Sequence, residues 1–543
     1  MRSKECEVRR EECGKGWQIE AVRALGLVLL ATLVVRLYLF VYTPVITQDA
    51  TLYITQAQLM AQGAWLQAQA LTNEFEPLFP FSIFLFHNVL PDWELAGKFA
   101  SLTFGVLAVI PFFLISRDVF GPRIAFGAGV LFALHPYFAR NSAEALTESA
   151  YLFFFLLTVW LAMRAHKTTG MRWYVLCAIT ILLTRLVRIE GIWLFLVILL
   201  FYGLRSLGDL RRQEWAGAGP LLRFCLAFLM ITLPILVYIA QVAGTSEISS
   251  EKGFGWFGLV LDRISVSLSG HVDLLNGLSS VGQSLALLWK DFIYKFVQTF
   301  HPLLLFLAMV PLIKRALREQ YSDYFLLTSS IVFVYLCGPF LLWFGGMTPG
   351  SHRFFMAPVA VALPWAAVTI EMGAAQMKRS GWSERWLPFS KKGSGIGHRL
   401  PVSGDQWGTI ILMLVVLVLA AKTVKPQRLD KLPIKDAGGW IATQNLKEPF
   451  IIADDRRIAF YSKGRLLPVE DTLIKKTALE QRQVAQKLIQ QARSRKVRFI
   501  FLEGSLDKEV QPIIRASAGV ERLKEWRSPY GNGYTLIQLR WDE

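Results

Sequence analysis

Residues 43–97 read TPVITQDATLYITQAQLMAQGAWLQAQALTNEFEPLFPFSIFLFHNVLPDWELAG and contain no Lys or Arg. Five acids, Asp49, Glu74, Glu76, Asp92 and Glu94, are spread along them. The stretch follows an apolar run near residues 24–42, and the chain around it is strongly basic, with a net charge of +17. Lys and Arg in short loops are retained on the cytoplasmic side of a membrane. A cation-free loop directly after an apolar helix therefore belongs on the outer face. Asp49 lies where that helix leaves the membrane, a place where a carboxylate is costly unless it is used.

The composition agrees with a membrane protein. The chain has 543 residues, 53% of them hydrophobic and only 18% charged. Apolar stretches approaching the roughly twenty residues that cross the hydrocarbon recur from residue 24 to residue 421. The first is too long, and too far from a small-residue cleavage site, for a signal peptide, and is expected to be a retained anchor. The basic residues follow the loops and form no single face or motif, which argues against nucleic acid as a partner. Orientation in the membrane and attraction to anionic headgroups explain them better.

Alternation of basic and cation-poor loops sets the expected topology. Residues 1–22 form a basic inner tail with Arg2, Lys4, Arg9, Arg10 and Lys15. Within the outer acidic loop, residues 53–66 have the apolar spacing of an interfacial helix, and residues 78–90 are apolar but too short to span. Spans are expected near 95–116, 124–138, 149–163, a pair within 173–204, 222–242, 293–313, 324–344, 354–370 and 408–421. With the first helix this makes about eleven spans, an odd number, and places the C-terminus outside. A long outer loop covers 244–289. The fold class is thus an α-helical polytopic membrane protein, with a membrane domain over 23–421 and a small α/β domain over 422–543. In that last part, 450–453, 499–502 and 534–539 have strand character, and 472–495 has a helical pattern. The five cysteines, Cys6, Cys13, Cys177, Cys225 and Cys337, imply no disulfide framework and no metal spacing.

On this topology the outer rim carries few ionisable groups, and they cluster. They are Asp49, Glu74 and Glu76; Arg140, Glu144 and Glu148; Arg185, Arg188 and Glu190; Lys290 and Lys295; and His352 and Arg353. Carboxylates suit general-base work. The guanidinium fork suits a phosphate or a phosphate leaving group. The plainer alternatives are interfacial snorkelling of the arginines and mere pairing of Glu144 and Glu148 with Arg140. Asp49 is harder to explain structurally, because no cation lies near it in sequence.

Several segments, in this order, resemble the GT-C superfamily of polytopic glycosyltransferases, in the branch of the protein O-mannosyltransferases and lipid A aminoarabinose transferases. Thr47-Gln48-Asp49-Ala50 supplies an acid just after the first helix. Glu76-Pro77-Leu78-Phe79-Pro80 is similar to a Pro-Pro-Leu-Tyr segment of that family, with Glu76 and one proline in place of the double proline. The run from His135-Pro136-Tyr137 through Arg140, Glu144 and Glu148 follows. Thr184-Arg185 through Glu190-Gly191 resembles a Thr-Arg-Pro-Glu-Gly turn, interrupted here by Leu186-Val187-Arg188-Ile189. His352-Arg353-Phe354-Phe355-Met356-Ala357-Pro358 resembles the entry to a late helix.

The resemblance implies an integral-membrane transferase of the bacterial inner membrane that moves a sugar from a polyprenyl-phosphate donor to a hydroxyl of a glycolipid or protein on the outer face. By it, Asp49 is the general base, and Glu144 or Glu148 orients acceptor or sugar. Arg353, with His352, Arg140, Arg185, Arg188, Glu190 and Glu76 around it, serves donor and substrate binding. A lipid-linked sugar is the one co-substrate implied; no nucleotide site is visible, and no metal-ligand set stands out, a divalent metal being left open. The competing reading is a lipid or glycan transporter or flippase. Transporters tend to show internal repeats and broken mid-membrane helices, and no such repeat is evident here.

Overall fold

A computed structural model describes residues 2–72, 76–211, 218–235, 237, 290–344, 352–379, 404–469, 476–517 and 519–541. Glu74 and the expected outer loop 244–289 lie outside them. The membrane part is helical throughout. It opens with α1 (Arg2–Tyr42), α2 (Gln48–Ala61), α3 (Trp65–Ala70), α4 (Leu78–His87), α5 (Trp93–Leu107), α6 (Val109–Phe120), α7 (Pro122–Leu134), α8 (Pro136–Asn141), α9 (Glu148–Thr168) and α10 (Met171–Val187). Further long helices are Trp193–Arg211, Ser322–Phe344, Met356–Arg379 and Gly404–Thr423.

Within the described residues the expected apolar segments are helices; residues 238–242 of the expected span 222–242 lie outside them, and the full set of about eleven expected spans is not reproduced there. Among the described residues, five helices are long and apolar enough to cross a membrane, or six if a bent pair counts as one span. That pair, Lys290–Phe300 and Pro302–Ile313, meets at 91°. His301 has a φ of +71° at the bend, directly before Pro302. Some other apolar helices are short. The 13 residues of α7 reach about 20 Å, against roughly 30 Å of hydrocarbon. The cause is local: α7 begins at Gly121-Pro122 and ends before Pro136, and proline starts helices readily but cannot continue them.

The two ends of the bundle differ in chemistry. Glu148 opens α9 and Arg164 and Lys167 lie in its last turns; its 21 residues make it about 30 Å long. At the far end, Arg164 pairs with Asp118 at 3.3 Å and Lys167 donates to the Asp118 carbonyl. Asp49, Glu148, Arg188 and Arg353 gather at the near end. Inside helix 1, buried Arg36 donates to Ser142 at 2.9 Å, linking the first span to the turn before α9.

The C-terminal part forms a mixed five-stranded sheet of order β2-β1-β3-β5-β4. The strands are β1 (Phe450–Ala453), β2 (Arg465–Pro468), β3 (Phe499–Glu503), β4 (Val520–Arg527) and β5 (Gly533–Leu539). β1 runs parallel to both β2 and β3, and β5 antiparallel to both β3 and β4. The central strands are apolar on both faces and are covered by Leu432–Ala442 on one side and Ala478–Ser494 on the other. A reciprocal Thr477–Glu480 capping box starts the second of these helices. Cys177, Cys225 and Cys337 are free thiols.

Candidate active site

The site begins with a helix cap. Thr47 is extended and its hydroxyl accepts the Ala50 amide at 2.9 Å, which starts α2 one residue later. Asp49 therefore sits in the first turn, where the helix dipole favours a carboxylate.

Arg353 meets Asp49 there. Its Nη2 donates to the Asp49 carboxylate, and its Nε lies 2.7 Å from Glu148 Oε1. One guanidinium thus bridges two carboxylates from two helices. They differ in access: the Asp49 side chain is 44% exposed and that of Glu148 only 2%. Asp49 is the carboxylate that an incoming group can touch. Glu148 is a buried counter-charge, which must be paired to be tolerated.

A second layer supports Glu148. Arg188 grips Glu190 through two hydrogen bonds of 2.7 and 3.2 Å, donates to Thr147 Oγ1 at 3.0 Å, and lies 3.7 Å from Glu148. Burial works against the Arg188 charge, but Glu190, Glu148 and Glu76 outweigh it and raise its pKa well above the ordinary value. Glu76 Oε1 accepts the Ile189 amide at 2.8 Å, joining the start of α4 to the end of α10. The turn between them needs its glycine. A Cβ on Gly191 would lie 2.4 Å from the Arg185 nitrogen and 2.5 Å from the Thr184 carbonyl carbon. Arg185 occupies the last turn of α10, against this turn.

The remaining sequence candidates lie elsewhere. His352 Nδ1 is 2.9 Å from Thr299 Oγ1, and its ring is 4.9 Å from that of Tyr137. On the same tyrosine, Lys422 Nζ sits 6.0 Å from the ring centroid, and Arg140 donates to the Lys422 carbonyl. Arg140 and Lys422 thus form a cationic pair at Tyr137, with the His352 ring against the same tyrosine. Glu144 is separate. It takes two bonds from Arg428, of 3.2 and 3.0 Å, at the entrance to the C-terminal domain. Burial raises the Glu144 pKa, and Arg428 offsets part of that.

An apolar groove of about 430 Å3 lies against the site, lined by Met60, Trp65, Leu66, Leu78 and Phe81, with Glu76 on its wall. Among the described residues, no group of three or more His, Cys, Asp or Glu could hold a metal ion. Lys422 and Arg428 are members of this region that the sequence did not single out. Their only signal is the presence of cations just after an apolar span that was expected to exit on the acid-rich face.

Residues 76–238 match the family model for dolichyl-phosphate-mannose-protein mannosyltransferases. That segment holds Glu76, Glu148, Arg188 and Glu190, but not Asp49 or Arg353. The whole chain is similar to ArnT from Cupriavidus metallidurans in the apo state, at 14% identity over 97% of this chain and 98% of that one, with a TM-score of 0.51. The fold is GT-C-like. A second ArnT structure, bound to undecaprenyl phosphate, matches at 13% identity over 96% and 98% of the two chains, with a TM-score of 0.50. The Archaeoglobus fulgidus oligosaccharyltransferase, in complex with Zn and sulfate, matches at 13% identity over 94% of this chain and 72% of that one, with a TM-score of 0.53. No curated protein matches the chain in sequence. The GT-C-like frame brings α2, α9 and the Met356–Arg379 helix together by their N-terminal ends, so that Asp49, Glu148 and Arg353 meet.

Proposed function

We propose that the protein is a membrane glycosyltransferase that moves a sugar from a polyprenyl-phosphate donor to an acceptor hydroxyl on the outer face. The observation that carries this reading is the bridge of Arg353 between accessible Asp49 and buried Glu148. A lipid-phosphate sugar already has a leaving group. The enzyme must deprotonate the acceptor and stabilise the departing phosphate charge. Asp49 accepts the hydroxyl proton as the acceptor oxygen bonds to the anomeric carbon. The bond from that carbon to the phosphate oxygen breaks, and the electron pair leaves with the phosphate.

Arg353 links the two tasks. While Arg353 holds Asp49, that carboxylate is engaged and cannot take up an acceptor hydroxyl. A donor phosphate competes for the same guanidinium and releases Asp49 for the acceptor. Arg140 and Lys422, at Tyr137, offer the phosphate further positive charge. The groove beside Glu76 gives an apolar chain a route to the site. Glu148 and Glu190, fixed by Arg353 and Arg188, keep both arginines in place.

The test is transfer by the purified protein from polyprenyl phosphates radiolabelled in mannose or in aminoarabinose. Label should move to a glycolipid or protein fraction. Retention of label on the lipid phosphate with every donor, in the presence of outer-membrane lipid and protein acceptors, would refute the reading.

A further inference from the structure

The segment that delivers Asp49 is held largely from outside the membrane part. Residues 43–47 are neither helix nor strand, and Thr43, Val45, Ile46 and Thr47 are buried. A buried backbone without regular structure needs other partners for its amides and carbonyls. The C-terminal domain supplies several. Lys435 Nζ donates to the Pro44 carbonyl at 2.9 Å. The Ile46 amide donates to the Tyr461 hydroxyl at 3.2 Å, and Arg457 Nη1 donates to the Ile46 carbonyl at 3.4 Å. Asp455 accepts from the side chain of Gln48, the residue next to Asp49. From the membrane part, Lys98 donates to the Thr43 carbonyl at 3.0 Å.

The gripping residues are themselves fixed. Arg457 is buried and bound to Asp455 through its Nε at 2.9 Å. Lys435 is also paired with Glu94 at 3.1 Å and lies 5.0 Å from the Tyr461 ring centroid. Gly438 lets the Leu432–Ala442 helix approach Tyr461, since a Cβ there would lie 2.5 Å from the tyrosine Cβ.

We propose that Tyr461 and Arg457 are positioning residues for Asp49, and that the C-terminal domain is a working part of the active site. Both hold the backbone of Ile46, three residues before the carboxylate, so they set where α2 begins and how Asp49 faces Arg353. The grip is on backbone atoms, which fixes position whatever the side chain of residue 46. This inference rests on the reading of Asp49 as the base. A misplacement of about 1 Å at a reacting group costs on the order of 10²-fold in rate, so the loss of one grip should slow turnover without altering donor binding.

The experiment uses the full chain in detergent, with Tyr461→Phe as the main variant and Tyr530→Phe, on the exposed surface of the same domain, as control. Amide exchange of the peptide over 43–47 and transfer from radiolabelled polyprenyl-phosphate mannose or aminoarabinose are measured together. The expected result for Tyr461→Phe is faster exchange in that peptide and a roughly 10–100-fold lower kcat, with donor KM and thermal midpoint as in the wild type. Tyr530→Phe should match the wild type in all four. Arg457→Lys, which retains the charge beside Asp455 but shortens the reach to Ile46, should give the same pattern if Tyr461→Phe does not fold. Unchanged exchange, or faster exchange with unchanged kcat, would overturn the proposal. If the wild type transfers from neither donor, the glycosyltransferase reading fails, and unchanged exchange alone still removes the clamp.

Discussion

Arg353 serves two carboxylates because a guanidinium presents several donors in one plane, and an ammonium cannot copy that geometry. Arg353→Lys should therefore keep the charge yet lose one of the two contacts. A charge-assisted hydrogen bond contributes about 1.5–3 kcal/mol, so donor KM should rise about tenfold or more; an unchanged KM would make Arg353 an interfacial anchor. A second residue reports on pH. Asp454 follows β1 in a largely buried place, and one of its carboxylate oxygens has no partner. Burial, with Glu503 and Asp455 nearby, pushes its pKa up from 3.8 to about 6. The folded state thus holds a proton there that the unfolded chain releases between those values. Stability from this residue is present at low pH and is lost as pH rises toward and through about 6. Asp454→Asn removes that loss. Its thermal midpoint should equal the wild-type value near pH 4 and exceed it at pH 8; a gain equal at both pH values would contradict the assignment.

At the scale of elements, the turn after α10 is the part on which the site depends most. Arg188 is extended, Ile189–Ile192 is a 3-10 turn, and Gly191 packs against the backbone of Thr184 and Arg185. Gly191→Ala should displace Arg188 and Glu190 while leaving the apolar helices intact. Transfer should fall on the order of 10²-fold, with unchanged helical circular dichroism; full activity would show that the turn tolerates the shift. Most helices were legible in the sequence, because long apolar runs leave little choice in a membrane. Two strands were not. β2 has four residues, and β4, Val-Glu-Arg-Leu-Lys-Glu-Trp-Arg, is a largely polar edge strand with few apolar positions to betray it. Span number was also hidden, since prolines at 122, 136 and 302 cut apolar runs into helices whose lengths hydropathy alone does not give.

The molecule gathers Asp49, Glu148 and Glu190, the bridging Arg353 and the contacts with the C-terminal domain at one end of the bundle. The sequence could mark Asp49 by its isolation from nearby cations, but not its partner, which lies 304 residues away. It could not separate Glu144 from Glu148 either. Four residues apart, one pairs with Arg428 of the C-terminal domain and the other with Arg353. If the acid-rich end faces outward, alkaline phosphatase fused after Trp440 should be active and after Arg211 inactive; the opposite pattern would reverse the orientation of the whole site. The central claim is that Asp49 takes the acceptor proton. Asp49→Asn preserves the side-chain shape and removes the basicity. Its rate of transfer from radiolabelled polyprenyl-phosphate sugar, measured on protein that still binds the donor, should fall about 10²–10⁴-fold. A folded Asp49→Asn protein that transfers at the wild-type rate would contradict the account.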